Sequence, residues 1–229
     1  MIEDVLPGSV AAEEAYGHGT AGHTPLHPEE EPLVARAVPK RRREFTVVRS
    51  CARRAMERLG VPAQPVLNGE RGAPRWPDGL VGSMTHCDGY CAAALVRATD
   101  LASLGIDAEP DAPLPEGVLS VVALPSETDR LRRLAAERPH VHWERLLFSA
   151  KESVYKAWFP LTGQWLDFSE ADIEITEDPD AKGRGAFRAE LLVPGPTVGG
   201  RRLTGFDGRW AARDGLLVTA VAVPPPARP

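Results

Sequence analysis

The stretch Leu104-Gly105-Ile106-Asp107-Ala108-Glu109 has an apolar residue at every second position and ends at Pro110. This alternation predicts a β-strand with one face in the core. Proline ends the strand because it has no N–H to give to a ladder of strand hydrogen bonds. Side chains two residues apart point to the same face and lie about 6 to 7 Å apart along the backbone. Asp107 and Glu109 are therefore predicted to project together from the face opposite the apolar residues.

Two carboxylates side by side repel each other unless a positive charge lies between them. Asp107 and Glu109 offer hard oxygen ligands, which Mg²⁺ prefers, and bound Mg²⁺ keeps free positions for phosphate and water. The alternative is a solvated strand face, which is the usual setting of an Asp-x-Glu pair. The pair alone leaves both interpretations open.

A second candidate stretch, residues 148–158, reads Phe-Ser-Ala-Lys-Glu-Ser-Val-Tyr-Lys-Ala-Trp. Ser149 and Glu152 fit a helix capping box, and Glu152 and Lys156 are spaced for an ion pair four residues apart. In the functional interpretation Glu152 is a third metal ligand and Lys156, one turn later, contacts a phosphate. Spacing alone favours the structural interpretation.

The third candidate stretch is Gly82-Ser83-Met84-Thr85-His86-Cys87, directly before a buried strand predicted from the apolar run 91–96. Small and hydroxylated residues beside a histidine form a candidate phosphate cradle, in which backbone amides and Thr85 donate hydrogen bonds. A lone histidine is more often a structural residue, so the residues alone do not decide the role of His86.

Basic residues are concentrated in one segment of an otherwise acidic chain. The net charge is −5, yet the segment 40–58 contains eight Lys and Arg residues against Glu44 and Glu57. Most of it belongs to a helix predicted for Glu44–Leu59, which Gly60 ends. Such a concentration indicates a local anionic ligand, and a solvated helix face is the alternative.

The remaining pattern predicts helices and small sheets in both halves of the chain, and thus an α+β fold. Residues 1–32 lack clear periodicity and are predicted to be mostly irregular, and 62–77 read as a loop. The other predicted elements are helices Ser126–Glu137 and Arg145–Phe159, the latter ended by Pro160, and strands Ile173–Thr176, Phe187–Val193 and Leu216–Val223. The tail 224–229 is predicted to be disordered.

The composition is that of an ordinary globular protein, with 43% hydrophobic and 26% charged residues. No apolar run approaches the roughly 20 residues that span a bilayer, and the first residues lack the pattern of a signal peptide. We therefore expect a cytoplasmic protein. Cys51, Cys87 and Cys91 are an odd number and predict reduced thiols rather than a disulfide framework. A zinc site with His86 would lack further ligands.

Each of the three stretches is ambiguous alone, but their order along the chain is specific. Gly-Ser-Met-Thr-His-Cys at 82–87, Leu-Gly-Ile-Asp-Ala-Glu at 104–109 and the stretch 148–158 resemble the signatures of the Sfp-type 4′-phosphopantetheinyl transferases. The variant is similar to the enterobactin-synthase and actinobacterial branch. In this family a Ser/Thr-His pair precedes Gly-Ile-Asp-x-Glu and then a Lys-Glu-x-x-x-Lys-Ala helix. The similarity covers residues 41–167.

The resemblance implies an α+β fold of two similar α/β subdomains related by pseudo-twofold symmetry in a monomeric chain. The subdomains would comprise residues 1–103 and 104–223, and the tail 224–229 would follow them. The N-terminal subdomain would contact the nucleotide of coenzyme A, which binds in the cleft between the two. The C-terminal subdomain would carry the metal site and the Lys-Glu-x-x-x-Lys helix.

The resemblance also implies which residues form the site. Asp107, Glu109 and Glu152 would bind Mg²⁺, with Mn²⁺ as an alternative ion, and Lys156 would contact the phosphates of coenzyme A. The residues implied for the rest of coenzyme A are Thr85 and His86 at a phosphate of the nucleotide, Arg41 and Arg49 near the 3′-phosphate and adenine, the loop Asn68-Gly69-Glu70-Arg71, and Leu166 beside the pantetheine arm. Family members often have Lys where Asn68 stands, and Arg71 is expected to supply that charge.

The implied reaction transfers the 4′-phosphopantetheine group of coenzyme A to a serine of an acyl or peptidyl carrier domain and releases 3′,5′-ADP. Mg²⁺ and cationic side chains offset the charge of the pyrophosphate. Glu152, directly or through a metal-bound water, is the candidate acceptor of the serine proton, with Asp107 and Lys156 as the other catalytic residues. The expected partners are carrier domains of fatty acid, polyketide or nonribosomal peptide synthesis, and neither nucleic acid nor membrane.

Three other functions are alternatives to this one. A magnesium phosphohydrolase would use the same carboxylates but direct water at phosphorus. A nucleic-acid-binding module built on the segment 40–58 would give Asp107 and Glu109 no role, and the acidic net charge and the lack of interleaved aromatic residues argue against it. A catalytically inactive scaffold would not need intact carboxylates.

Overall fold

The computed structural model describes residues 1–225, which combine helices with antiparallel strands and confirm the predicted α+β class. From residue 226 onward, the predicted disordered tail lies outside the described residues. The helices are α1 Pro39–Arg58, α2 Val118–Val122, α3 Pro125–Glu137 and α4 Trp143–Thr162. The strands are β1 Ala11–Tyr16, β2 Leu80–Cys87, β3 Tyr90–Arg97, β4 Ser103–Pro110, β5 Ala171–Glu177, β6 Arg184–Leu191, β7 Thr197–Val198, β8 Arg201–Arg202, β9 Gly205–Arg213 and β10 Leu216–Val223.

The strands form two main sheets, one in each half of the chain. A three-stranded antiparallel sheet has the order β1-β3-β2, and a five-stranded antiparallel sheet has the order β4-β10-β9-β6-β5. The short strands β7 and β8 form a separate hairpin. The long helix α1 packs against β1 and β3, and the long helix α4 packs against β4 and β10. The predicted pseudo-twofold symmetry and the division at residues 103/104 stay predictions.

The strand β3 is buried on both faces, which explains its continuous apolar sequence. Cys91, Ala93 and Leu95 face α1, whereas the alternate residues face a second cluster that includes Ile2 and Ile106. Burial on both faces requires apolar residues at every position, because neither face meets water. The predicted strand at 91–96 is therefore confirmed, and the first residues of the chain cover part of the core.

The strands β2 and β4 lie side by side where the two sheets meet, and we call this contact the seam. Their backbones do not pair as strands of one sheet. Instead, the Ser83 hydroxyl oxygen accepts a hydrogen bond from the Ile106 amide and the Thr85 hydroxyl oxygen accepts one from the Ala108 amide, both at 3.0 Å. From the first contact to the second, the residue number rises by two on each strand, so β2 and β4 run parallel. Side-chain oxygens thus satisfy amides of β4 that would otherwise be buried without partners.

Close packing holds β4 against α4. Gly105 is so near the helix that an added Cβ would lie 2.0 Å from the Ser153 carbonyl oxygen. The Ser103 hydroxyl donates to the Ala157 carbonyl oxygen at 2.7 Å. The predicted orientation of this strand is confirmed, since Leu104, Ile106 and Ala108 are all buried in one cluster.

The prediction for residues 1–32 was wrong in part. They include the strand β1 as well as short 3₁₀ turns at Ile2–Val5 and Glu31–Val34. The strand Ala-Ala-Glu-Glu-Ala-Tyr consists mostly of Ala and Glu, which have low strand propensity, and its position depends on pairing with β3. The strand β9 was also missed, and so was the strand β2, which contains the candidate phosphate cradle at 82–87.

The helix α4 is longer than predicted and its capping was misassigned. It begins at Trp143, so Ser149 lies in its second turn and its hydroxyl pairs with the Thr219 hydroxyl at 2.9 Å. The predicted capping box of Ser149 and Glu152 is therefore wrong. Pro160 does not end the helix, because it lies in the last turn, and the chain continues to Gly163 in the left-handed conformation with φ of 65°.

The other predicted elements correspond to observed ones, with shifts of a few residues at their ends. The predicted helix Glu44–Leu59 begins earlier, at Pro39, and the predicted strand Phe187–Val193 is shifted toward the N-terminus. Cys51, Cys87 and Cys91 are free thiols, as expected. Within residues 1–225, no helix is both long and apolar enough to cross a membrane.

Substitution of Gly105 tests the contact between β4 and α4. We expect Gly105→Ala to lower the free energy of unfolding by about 3 kcal/mol, because the new methyl group can be accommodated only if α4 moves away. Gly8→Ala is the matched control, since Gly8 has nothing within 4 Å of an added Cβ and a backbone that does not require glycine. Urea unfolding of both variants measures the difference. Equal stability of the two would contradict the packing described.

Candidate active site

A cleft of about 720 Å³ lies between the two halves and contains most of the predicted site residues. Its walls come from α1, β2, β4, α4 and the loop between α1 and β2. The predicted site residues that line it are Arg41, Arg49, Asn68, Arg71, Thr85, His86, Asp107, Glu152 and Lys156. The structure therefore brings together side chains from the three stretches and from the basic segment.

Asp107 lies at the floor of the cleft and is held from both halves of the chain. Its Oδ1 accepts hydrogen bonds from the Thr85 hydroxyl at 3.1 Å and from Lys156 Nζ at 2.7 Å. Its Oδ2 is buried and has no hydrogen-bond partner. A buried carboxylate oxygen without a partner is costly, so Oδ2 is the atom of this site that most needs a ligand.

Lys156 does not form the predicted ion pair with Glu152. Its ammonium group contacts Asp107 and also donates to the Ile106 carbonyl oxygen at 3.1 Å. The reason is that β4 passes directly beneath this turn of α4, which brings Asp107 within reach. Lys156 thus links α4 to β4 at the floor of the cleft.

Glu152 is a second carboxylate in the cleft, one turn before Lys156. Burial raises the pKa of Glu152, and the charge of Asp107 raises it further, while the Lys156 ammonium opposes the shift. A carboxylate with a raised pKa holds a proton more strongly, so Glu152 is suited to accept one.

Glu109 is the predicted metal ligand that does not line the cleft. Its Oε2 accepts a hydrogen bond from Arg145 Nη1 at 2.9 Å. Burial and then the charge of Asp107 raise the pKa of Glu109, although Arg145 opposes this. In the described part of the chain, no three His, Cys, Asp or Glu side chains form a group placed to hold a metal ion. Glu109 is thus bound to Arg145 and does not form a preformed three-ligand group with Asp107 and Glu152.

One end of the cleft is cationic. Arg41 contacts His86 Nε2 through Nη1, and His86 Nδ1 lies 3.7 Å from Glu44 Oε2. Burial, and after it the charge of Arg41, lowers the pKa of His86. An anion between Arg41 and His86 would favour the protonated imidazole and relieve the repulsion between the two groups.

Arg49 is buried at the same end and is held by three contacts. Its Nε donates to the Val66 carbonyl oxygen at 3.0 Å and its Nη2 donates to Asn68 Oδ1 at 2.8 Å. The guanidinium carbon lies 3.1 Å from the centre of the Phe45 ring. Burial lowers the pKa of Arg49 to about 10, with Glu30 opposing the shift, so the side chain keeps its charge at neutral pH.

The loop 68–71 contributes two of its four residues to the cleft. Asn68 and Arg71 line it, whereas Gly69 and Glu70 do not. Arg71 has a left-handed backbone with φ of 52°, which is uncommon for a residue other than glycine. Its guanidinium lies 5.9 Å from the Trp165 ring of the opposite half. The expectation that Arg71 supplies a charge near Asn68 is compatible with this position and stays a prediction.

A smaller cavity of about 100 Å³ adjoins the cleft, and its lining combines apolar and aromatic side chains with Lys151, Glu152 and Asp167. Glu152 and Tyr155 line both cavities, so the second is an extension of the first. Leu166 lies here, together with Trp165 and Phe168. Tyr155 was not among the predicted site residues, although it lies one turn after Glu152 on the same predicted helix and could have been found from that spacing.

The arginines toward the C-terminal end of α1 bind acidic residues of the chain itself. Arg53 pairs with Glu30, and both side chains are almost fully buried. Arg54 pairs with Glu13 at 2.9 Å, and Arg58 pairs with Glu3 and Glu13. The positive charge toward the C-terminal end of α1 is therefore used to hold residues 1–32, and only Arg41 and Arg49 of this segment line the cleft.

Comparison with known proteins identifies the family. Residues 29–96 match the family model described as "4'-phosphopantetheinyl transferase N-terminal domain", and residues 103–194 match "4'-phosphopantetheinyl transferase superfamily". The chain is 61% identical to 4'-phosphopantetheinyl transferase Svp of Streptomyces mobaraensis, over 99% of this chain and 91% of the relative. It is 50% identical to 4'-phosphopantetheinyl transferase Npt of Nocardia iowensis, over 97% of this chain and 99% of the relative.

A more distant similarity covers about half of each protein. Enterobactin synthase component D of Salmonella typhi is 34% identical over 119 residues, which are 52% of this chain and 49% of the relative. This similarity agrees with the branch that the motifs indicate. The near-complete coverage of the two more similar relatives, together with the two family models, shows that the chain belongs to the 4′-phosphopantetheinyl transferase family.

Proposed function

We propose that the cleft binds coenzyme A together with Mg²⁺, and that the 4′-phosphopantetheine group passes from there to a serine of an acyl or peptidyl carrier domain, with release of 3′,5′-ADP. The family of the chain supports the reaction. The observation that carries the assignment to this cleft is the floor residue Asp107, whose unpartnered Oδ2 lies between a cationic end and an aromatic extension. These three parts suit the nucleotide, the pyrophosphate and the pantetheine arm of one ligand.

The residues at the floor fit a magnesium ion. Asp107 Oδ2 is a buried oxygen without a partner, and Glu152 lines the same cleft. Both are hard oxygen donors, which Mg²⁺ prefers. Asp107 and Glu152 would hold the ion, and Glu109 is the third predicted ligand, which has to exchange its contact with Arg145. Bound there, Mg²⁺ supplies positive charge that offsets the charge of the pyrophosphate.

The cationic end suits the phosphorylated nucleotide. Arg41 and His86 converge at one place, and Arg49 presents its guanidinium to the cleft between Phe45 and Asn68. Charge-assisted hydrogen bonds from arginine are well matched to phosphate oxygens. Thr85 is already engaged with Asp107 and the Ala108 amide. We infer that Thr85 chiefly positions Asp107, and that Arg41 and His86 contact the phosphate.

The transfer step needs a proton acceptor and a cation near the leaving group. The serine hydroxyl oxygen of the carrier forms a bond to the β-phosphorus, while the bond from that phosphorus to the oxygen of 3′,5′-ADP breaks. Glu152, which lines the cleft beside Asp107, would accept the serine proton. Lys156, fixed by Ile106 and Asp107, stabilises the negative charge that builds on the departing phosphate.

The aromatic extension suits the pantetheine arm. Tyr155, Trp165, Leu166 and Phe168 line it beside Glu152. A pantetheine arm bound in this extension would have its amide groups and thiol apart from the phosphates, as expected for an extended ligand.

The cytoplasmic location, the monomeric state and the division into subdomains 1–103 and 104–223 are parts of the same proposal.

Transfer to a carrier domain is the direct test of the proposed function. An apo carrier domain incubated with the protein, coenzyme A and Mg²⁺ should gain the mass of one phosphopantetheine, as measured by intact-protein mass spectrometry. The gain should disappear with EDTA and with a carrier whose acceptor serine is replaced by alanine. Consumption of coenzyme A without any gain on acyl or peptidyl carriers would instead favour the phosphohydrolase.

Asp107→Asn tests the floor of the cleft. We expect kcat/KM for coenzyme A to fall by at least about 100-fold, because the substitution removes the charge that holds the ion. Binding of Mn²⁺, measured by calorimetry, should weaken in parallel, while the melting temperature shows whether the fold is kept. Asp100→Asn, at an exposed turn, is the matched control. Full activity of Asp107→Asn at limiting Mg²⁺ would refute the metal assignment.

The two glutamates are expected to differ in importance. Glu152→Gln should abolish most of the transfer, because Glu152 lines the cleft. Glu109→Gln should retain more activity and require a higher Mg²⁺ concentration, because Arg145 already binds the Glu109 carboxylate. Steady-state rates over a Mg²⁺ titration distinguish them. The reverse order of the two variants would assign the main role to Glu109.

A further inference from the structure

Glu30 is a fully buried carboxylate outside the cleft, with 0% exposure of its side chain. Its Oε1 accepts a hydrogen bond from the Val66 amide at 2.8 Å, and its Oε2 accepts one from the His27 amide at 2.9 Å. Arg53 Nη1 donates to both oxygens, at 3.2 and 3.0 Å. A charged group is buried at such a cost only where its partners are well placed. These contacts fix the position of three separate segments of the chain.

Val66 connects Glu30 to the cationic end of the cleft. The amide of Val66 binds Glu30, and the carbonyl oxygen of the same residue accepts from Arg49 Nε at 3.0 Å. Arg49 Nη2 in turn holds the side chain of Asn68 at 2.8 Å. Arg49 Nε also lies 3.8 Å from Glu30 Oε1, which makes a direct ion pair. The orientation of Arg49 thus depends on Glu30 in two ways.

We propose that Glu30 is a positioning residue for the nucleotide end of the cleft, and that it acts through Val66 and Arg49 to present the guanidinium of Arg49 and the amide of Asn68 to the nucleotide of coenzyme A. The inference rests on the proposed function of the cleft. Glu30 does not itself line the cleft. Its role is to keep Arg49 charged and in one orientation before the ligand binds, which lowers the cost of ordering this end on binding.

Loss of the carboxylate charge should affect binding rather than the chemical step. Without Glu30, the guanidinium groups of Arg49 and Arg53 are buried close together with no anion between them. Arg49 then gains by turning away from Val66, and the amide of Asn68 loses its partner. The floor residues Asp107 and Lys156 have hydrogen bonds of their own from other elements, so the step at phosphorus is not disturbed. An interaction lost equally from bound substrate and transition state raises KM and leaves kcat unchanged.

Glu30→Gln tests this inference. The expected result is a rise of about tenfold in KM for coenzyme A and in Kd for 3′,5′-ADP measured by calorimetry, because a hydrogen-bonded charged contact is lost. The value of kcat at saturating coenzyme A should stay within about twofold of wild type. An unchanged KM and Kd in the folded variant would overturn the proposal.

Arg53→Met is the matched control for lost stability. Arg53 is the other half of the same buried ion pair, but its remaining hydrogen bonds go to Thr24 and Pro25 and none goes to Val66 or Arg49. The control should therefore lose a similar amount of stability in thermal melting and keep KM and Kd near wild type. Equal rises in both variants would mean that Glu30 is only structural, and would overturn the proposal.

A third variant covers the case in which Glu30→Gln does not fold. Glu30→Asp keeps the charge but is one methylene shorter, so it cannot reach Val66 and Arg53 together. A higher Kd for 3′,5′-ADP with unchanged kcat is again expected, and an unchanged Kd overturns the proposal. Because nucleotide binding is measured without a carrier domain, this result is independent of transfer. Failure of the wild-type protein to load any carrier would count against the proposed function instead.

Discussion

A single carboxylate oxygen joins the two halves of the molecule at the floor of the cleft. Asp107 Oδ1 accepts hydrogen bonds from Thr85, which belongs to the first sheet, and from Lys156, which belongs to the helix of the second half. The strand β4 has no backbone pairing with β2, so the hydroxyl groups of Ser83 and Thr85 take the place of a ladder. The two sheets thus meet here through side chains, and Asp107 lies at the floor of the cleft between them.

This arrangement directs the chemistry as well as the fold. With both donors on Oδ1, the carboxylate is oriented so that Oδ2 has no protein partner. A buried oxygen in that state favours any conformation or ligand that brings a cation to it. Glu152 lies in the same cleft and carries a raised pKa from its burial. The fold thus maintains two carboxylates in unequal environments, one oriented by hydrogen bonds and the other desolvated.

The parts of the site that the sequence predicted are those that depend on local periodicity. The two-residue period of a β-strand predicted that Asp107 lies on the polar face of β4. The helical period predicted that Glu152 and Lys156 lie one turn apart on α4. The contact of Glu109 with Arg145 could not be predicted in this way, because Arg145 lies 36 residues further along the chain. The same holds for Lys156, whose contact with Asp107 rather than Glu152 follows from the packing of β4 beneath α4.

Residues 1–32 show most clearly what local periodicity cannot predict. Their sequence has no strong period, and their order comes from distant partners: β1 pairs with β3, and Glu30 binds Arg53 and Val66, which are 23 and 36 residues away. The aromatic extension was likewise hidden, because Trp165 and Phe168 lie in a loop that only the fold brings beside Tyr155.

The order of the groups along the cleft gives the strongest physical argument for one extended ligand. Arginine and histidine at one end suit a phosphate, carboxylates and a lysine at the floor suit a pyrophosphate with its cation, and aromatic side chains beyond Glu152 suit an apolar arm. A small anion would use only the first part, and an apolar ligand only the last. The cationic end also has to be kept apart from Asp107 and Glu152, because arginines that reached the floor would neutralise the carboxylates that the cation requires. Val66 and Asn68 hold the guanidinium of Arg49 at the cationic end of the cleft.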